Sequence, residues 1–291
     1  MTDTRKLIAE ARSFLFVPGD RQEWFQKALS TLSDIVIVDL EDAVAEASKG
    51  AARLALKSHE WGKEKARVLV RVNASDTPWF KDDLDACRAA GVQGIMLSKT
   101  QEVADVARAV AIADGLIVVG LIETAAGIAN VASIAQHESV ARLAFGSIDY
   151  CLDLCIAGDG IGLASARSEL VLRSRLANRP APIEGVTADF RDDQALVASI
   201  GVAKSFGFGA KLAIHPGQIE LINNGFMPAD SEVNWAREVM DAYERSDQTS
   251  GSFSFRGGMI DKPILARAKR ILGASPSSNA NRTRSQSPNQ S

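Results

Sequence analysis

Short apolar runs recur along the chain, and each is cut off by a charged or turn-forming cluster. Ser13-Phe14-Leu15-Phe16-Val17 stops at Pro18-Gly19, and Ile35-Val36-Ile37-Val38 leads into Asp39-Leu40-Glu41-Asp42. Val68-Leu69-Val70 delivers Arg71-Val72-Asn73, and Gly94-Ile95-Met96-Leu97 delivers Ser98-Lys99. The run Ile117-Val118-Val119-Gly120-Leu121-Ile122 ends at Glu123, and Arg142-Leu143-Ala144-Phe145 leads through Gly146-Ser147-Ile148 to Asp149. The Ile117 run has no alternating polar partners, which predicts a strand covered on both faces, as in a parallel sheet. Gly185 to Asp189 is a weak seventh strand, and Gly209 to Ile214 is the eighth, followed by His215-Pro216.

Between these runs the apolar spacing turns helical. Arg21 to Leu32, Ala43 to His59, the stretch after the break Thr77-Pro78-Trp79-Phe80 through Ala90, Glu102 to Ala113, Ala164 to Asn178 and Asp192 to Phe206 all read as helices. Strand and helix alternate eight times, which predicts a closed (β/α)8 TIM barrel over residues 1–225 in preference to an open doubly wound sheet. Residues 226–274 read as a C-terminal helical extension, with helices over Glu232 to Tyr243 and Asp261 to Leu272 around the Gly- and Ser-rich Ser250 to Gly258. Residues 275–291 carry no large apolar side chain and are expected to be disordered.

Composition narrows the function classes. A chain of 291 residues, 46% hydrophobic and 24% charged, has the make-up of an ordinary globular protein. A formal net charge of −3 gives no reason to expect a nucleic-acid or membrane partner, and no run is long enough to span a bilayer. Three cysteines, an odd number without paired spacing, fit a reducing cytoplasm. Walker, nucleophile-elbow and dinucleotide-binding glycine motifs are absent.

The strand ends carry the candidate chemistry: Asp39, Glu41, Asp42, Arg71, Asn73, Lys99, Glu123, Asp149, Asp189, Lys211 and His215. In a barrel these are expected to face one end, where such folds place their sites. Glu123 and Asp149 are the candidate metal ligands. All-oxygen ligation without nearby His or Cys selects Mg²⁺, with Mn²⁺ as the alternative, and Mg²⁺ needs few protein carboxylates. Asp39, Glu41 and Asp42 are candidates to hold waters on that ion, although Asp42 would serve equally as the cap of a helix from Ala43. Arg71 needs a counter-charge, and either pairs with Glu123 or holds a substrate carbonyl or carboxylate where negative charge develops. His215 alone reads more readily as a structural residue.

Seven motifs in order carry a resemblance. They are Arg12-Ser-Phe-Leu-Phe-Val-Pro-Gly19, Val38-Asp-Leu-Glu-Asp-Ala-Val44, Val70-Arg-Val-Asn73, Leu121-Ile-Glu-Thr124, Phe145-Gly-Ser-Ile-Asp149, Asp189-Phe-Arg-Asp192 and Lys211-Leu-Ala-Ile-His-Pro216. Together they resemble the citrate lyase β-subunit-like branch of the HpcH/HpaI aldolase superfamily over roughly residues 12–272. That resemblance implies a TIM barrel using Mg²⁺ to make or break a carbon–carbon bond in a 3-hydroxyacyl-CoA thioester such as citryl-, malyl- or citramalyl-CoA. The partners it implies are a CoA thioester and a 2-oxo acid. It carries Glu123 and Asp149 over as metal ligands and Arg71 as the oxyanion partner. It adds Arg21 and Lys27 as holders of the CoA phosphates, and Asp261 as a carboxylate donated to a neighbouring subunit's site in a homo-oligomer, a trimer or larger.

The chain departs from the branch's pattern in three places. Leu97-Ser-Lys-Thr-Gln101 stands where relatives commonly read Leu-Pro-Lys-Val-Glu, Ile148 stands where many carry Glu, and the loop from Cys151 to Gly162 is unusual. These leave the metal residues in place and bear on the substrate. Two rivals to the lyase remain: a malyl-CoA-type thioesterase on the same scaffold, and a non-catalytic acyl-CoA-binding subunit.

Overall fold

The computed structural model describes residues 3–158, 160–245, 253–256 and 258–274. The expected disordered tail, residues 275–291, lies outside them. Eight parallel strands close into a barrel: β1 (Ser13–Pro18), β2 (Ile35–Asp39), β3 (Val68–Val72), β4 (Gly94–Leu97), β5 (Ile117–Ile122), β6 (Val140–Phe145), β7 (Ile183–Glu184) and β8 (Ala210–Ala213). Ring closure is made where Ser13, Phe14 and Leu15 of β1 pair with Lys211, Leu212 and Ala213 of β8. The TIM barrel expected from the alternating pattern is the fold.

The side-chain period of two sorts each strand into inside and outside. Phe14, Ile35, Ile37, Leu69, Met96, Val119, Leu121 and Leu212 fill the barrel, while their neighbours Val36, Val38, Val70, Leu97 and Ala213 pack outward under the helices. Continuing the inner rows by two residues sends Asp39, Arg71 and Glu123 inward at the carboxyl end. The chemistry therefore follows from parity.

The opposite end is plugged. The helix Thr4–Glu10, capped by Asp3, presses Ile8 into the inner core. Gly94 at the start of β4 makes room for it, since a Cβ there would meet Leu69 Cδ2 at 2.3 Å and Thr4 Cγ2 at 3.3 Å. A register shift between β5 and β6 pairs Val119 with Arg142. Arg142 is buried and donates to the carbonyls of Ile8, Ala11 and Ala181 at 2.8, 2.8 and 2.7 Å. Burial pushes its guanidinium down to about 9.

Two expected elements fall elsewhere. β7 is Ile183–Glu184, not Gly185 to Asp189, which is a loop. Gly185 is packed too closely for a side chain, as a Cβ would meet Ser147 Oγ at 2.5 Å. The helix expected from Ala43 begins at Lys49, after a 3₁₀ turn at Glu46–Ser48. Residues 40–45 are held instead as a loop by Lys49, whose buried Nζ donates to Leu40 O, Glu41 O and Asn73 Oδ1 at 2.9, 3.0 and 2.9 Å.

The chain divides into two compact units, at Phe226. In the second, the helices Asp230–Arg245 and Lys262–Ala274 share a core of Val233, Ala236, Val239, Ala268 and Ile271. Part of the Gly- and Ser-rich segment is in a hairpin, which pairs Phe253–Phe255 with Gly258–Ile260. No helix among the described residues is long and apolar enough to cross a membrane.

Candidate active site

A cavity of about 410 Å³ at the carboxyl ends of the strands is lined by Asp39, Asp42, Arg71, Glu123 and Asp149, with Phe16, Leu121, Leu212 and Ile214 as apolar wall. Arg71 is its anchor. Its Nε and Nη2 donate to the two oxygens of Asp39 at 2.7 and 2.5 Å, a bidentate pair. Its Nη1 lies 2.9 Å from Glu41 Oε2 and 3.5 Å from Asp42 Oδ2, and the guanidinium sits 4.7 Å over the Phe16 ring. Burial opposes its charge, but Asp39, Glu41 and Asp42 together hold it above the ordinary arginine value.

These contacts correct one of the two readings left open for Arg71: its counter-ion is Asp39, not Glu123. They also revise Asp39. Its oxygens accept from Arg71 twice, from Glu41 N at 2.9 Å and from Ala43 N at 3.1 Å. Four bonds fill the acceptor capacity of one carboxylate, so Asp39 is a strut and not a holder of waters on an ion. Asp42 caps no helix, since none begins beside it, and its side chain is more than half exposed. Glu41 is buried and bridges Arg71 to Lys99, whose Nζ lies 2.8 Å from its Oε1. Glu41 Oε2, close to Arg71 but misaligned, makes no hydrogen bond.

Glu123 is 2% exposed and lies one residue past β5. Its Oε1 accepts from Lys99 N at 2.7 Å, and that contact is set by a left-handed Lys99 backbone, φ +45°. Burial first, then the charges of Glu41 and Asp149, push Glu123 up to about 8, against the Lys99 N–H and Arg71. Gly146 is required beside it, because a Cβ there would meet Glu123 Oε2 at 2.3 Å. Asp149 stands half-buried in the first turn of the helix Ser147–Asp153. Asp153, one turn on, accepts from Ala125 N at 2.7 Å and ties this helix to the start of the helix that follows β5.

An all-oxygen pair from adjoining strands, mutually repelling and partly desolvated, fits a hard divalent cation. Among the described residues no group of three His, Cys, Asp or Glu gathers for a metal. A pair is the set that suits an ion taking its remaining ligands from substrate and water.

Other expected residues of the barrel unit are not gathered here. Lys211 points outward, its buried Nζ donating to Gly185 O at 2.6 Å and Ser199 Oγ at 2.9 Å. Asp189 is an exposed loop residue accepting from Arg191 N. His215 is exposed, stacks on Phe190 at 4.5 Å and accepts from Gly217 N at 3.1 Å, a structural turn. Arg21 and Lys27 are exposed after β1, with Arg21 lying 5.7 Å over the Trp24 ring. Asp261 begins the last helix, its Oδ1 accepting from Ile264 N at 3.2 Å.

Of two structural partners, Lys49 carried no sequence signal and Lys99 stood only as one polar strand end among several. Lys49 and Lys99 sit in helix- and turn-like surroundings, yet they position Glu41 and Glu123. Glu184, alone on a short strand, is buried against Arg167 at 2.8 Å.

A cavity at the carboxyl end of a (β/α)8 barrel, with paired carboxylates and an anchored guanidinium, is the arrangement of a barrel enzyme. The chain belongs to the HpcH/HpaI aldolase/citrate lyase family, whose model matches residues 12–216. It is 35% identical over 273 residues to a citrate lyase subunit beta-like protein of Mycobacterium tuberculosis, covering 91% of this chain and 96% of that one. It is 32% identical over 268 residues to a (3S)-malyl-CoA thioesterase of Cereibacter sphaeroides, covering 90% and 93%. Among solved structures, CitE of M. tuberculosis in complex with magnesium, acetoacetate and coenzyme A superposes with a TM-score of 0.82 at 31% identity, over 91% of this chain and 98% of that one.

Proposed function

We propose that the protein is a Mg²⁺-dependent carbon–carbon lyase acting on a 3-hydroxyacyl-CoA thioester of the citryl-, malyl- or citramalyl-CoA kind. The observation that carries this reading is the convergence of Glu123, Asp149 and Arg71 on one cavity. It is supported by relatives named for citrate lyase and by the magnesium and coenzyme A in the CitE complex. Glu123 and Asp149 hold the ion, and Mn²⁺ can replace it. Bound there, Mg²⁺ supplies Lewis-acid polarisation of substrate oxygens.

Cleavage breaks the bond between C2 and C3 of the acyl chain. The 3-hydroxyl gives up a proton, matched in the balance by the one added at C2, and becomes the carbonyl of a 2-oxo acid, while the bond's electron pair passes to the thioester as an enolate. Arg71 stabilises the enolate oxygen: Asp39 engages two of its five N–H groups, and its guanidinium lines the cavity. A proton delivered to C2 then gives the acyl-CoA. Arg21 and Lys27, exposed on the turn and the helix after β1, bind the CoA phosphates.

Hydrolysis is the second reading, supported by the relative named a malyl-CoA thioesterase. Product analysis with malyl-, citramalyl- and citryl-CoA separates the two. Acyl-CoA and a 2-oxo acid formed in equal amounts, both abolished by EDTA, are expected. Free CoA with an intact hydroxy acid would replace the lyase by the thioesterase.

The proton donor to C2 is proposed to be Asp261 of a neighbouring subunit in a homo-oligomer, a trimer or larger. Asp261 also caps its helix, so Asp261→Asn, which preserves the cap, is the clean variant. Inactive Arg71→Ala and inactive Asp261→Asn chains, co-expressed, are expected to regain turnover through mixed sites. Mixed oligomers without rescue, or near-normal turnover of Asp261→Asn alone, would leave Asp261 as a cap only.

A further inference from the structure

A second and larger cavity, of about 810 Å³, adjoins the carboxylate cavity across Ser147, Ile148 and Val186. It opens between the segment after β6, the loop after β7 and the helix Asp193–Phe206. Ile148, Ile161, Val202 and Phe206 give it apolar walls, and Ala164 and Ala198 leave its volume open. Its size falls within the ordinary range for small-molecule sites.

Three of the polar side chains at its border are engaged by the protein, while Thr187 Oγ1 is buried without a hydrogen-bond partner. Ser199 Oγ accepts from Lys211 Nζ at 2.9 Å, Arg167 is paired with Glu184 at 2.8 Å, and Cys151 Sγ donates to Gly158 O at 3.7 Å. Meanwhile two large apolar side chains stand uncovered, Ile148 at 53% and Ile161 at 94% exposure. Ile148 is the residue directly before Asp149. A ligand reaching from the carboxylates into this recess therefore meets apolar surface, and covering that surface is favourable.

We infer that the recess receives an aliphatic group of the substrate, several carbons long and carried on either the acyl half or the 2-oxo-acid half. This rests on the lyase reading for the kind of ligand and adds its chain length. The amide-bearing arm of coenzyme A is the rival occupant, and the engagement of Ser199, Arg167 and Cys151 by the protein leaves its amides few partners there.

The test is binding to the full-length protein with Mg²⁺, by calorimetry, in two series. One runs from acetyl- to hexanoyl-CoA, the other from pyruvate to its straight-chain homologues of the same lengths. In one series Kd is expected to fall about fourfold per added methylene until the recess fills. Ala198→Phe, an exposed helix position, is expected to flatten that series while leaving Kd for acetyl-CoA and pyruvate, and Tm, unchanged. Two flat series in the unsubstituted protein overturn the inference. So does an Ala198→Phe protein that binds coenzyme A itself more weakly. A retained slope without cleavage of any thioester supports the recess and sinks the lyase reading instead.

Discussion

Glu123→Gln and Asp149→Asn are each expected to abolish Mg²⁺-dependent turnover and to leave the barrel folded. Both are near-isosteric, and a Gln carbonyl at 123 can still accept from Lys99 N. Loss of a partner that only orients a metal ligand already costs 10- to 100-fold in metal affinity, so loss of a ligand from a two-carboxylate set is expected to exceed about 100-fold. Glu123 adds a pH signature. Its folded value, about 8, lies above the ordinary 4.5. Between those limits the folded protein keeps a proton that the unfolded chain has lost, so metal-free stability falls as pH rises through that window. Magnesium binding must displace that proton, and its affinity is expected to weaken as pH drops below about 8. Glu123→Gln removes both trends. Calorimetric Mg²⁺ titrations and thermal melts from pH 5 to about 8 read them. Full activity in EDTA, or an unchanged Mg²⁺ affinity in both variants, would end the two-carboxylate assignment.

The strands were legible where the sheet is covered on both faces, because burial there demands unbroken apolar runs such as Ile35 to Val38 and Ile117 to Ile122. β7 was not, since two residues between Pro182 and Gly185 leave no run to read. Period-two parity could have gone further. Ile37 to Asp39, Leu69 to Arg71 and Leu121 to Glu123 each step from an inner apolar residue to an inner charge. The same rule turns Lys211 outward, because its neighbours Ala210 and Leu212 point in. What parity cannot supply is pairing. Whether Arg71 meets Asp39 or Glu123 depends on which inner positions adjoin, and that follows from register, where Asp39 stands directly beside Arg71. Lys49 lay beyond pattern altogether, since a buried ammonium in a helix looks like a surface residue, and Lys99 was legible as a strand end but not as the left-handed residue whose N–H holds Glu123.

Arg71→Ala is expected to fail twice, in stability and in turnover, and the two failures can be separated. Asp39 is 1% exposed and Glu41 is buried, so removing the guanidinium leaves Asp39 without its counter-charge and Glu41 with Lys99 alone. Breaking a buried pair from one side costs about 3–5 kcal/mol, a large share of the roughly 5–15 kcal/mol that holds a domain. Loss of an oxyanion donor lowers kcat by about 10²- to 10³-fold. Arg71→Lys keeps the charge but not the two-pronged grip on Asp39, and is expected to recover part of the stability and little of the turnover. The decisive protein is Arg71→Met with Asp39→Asn. It removes the most buried uncompensated charge together with its partner, while an amide at 39 still accepts from a loop N–H. Its Tm is expected to rise well above that of Arg71→Ala, with kcat still depressed by the full factor. Turnover returning in step with Tm would mean that Arg71 only braces the loop of Glu41 and Asp42, and that another group meets the enolate. Stability without turnover leaves Arg71 at the reacting oxygen, where its guanidinium can reach because Asp39 holds its other side.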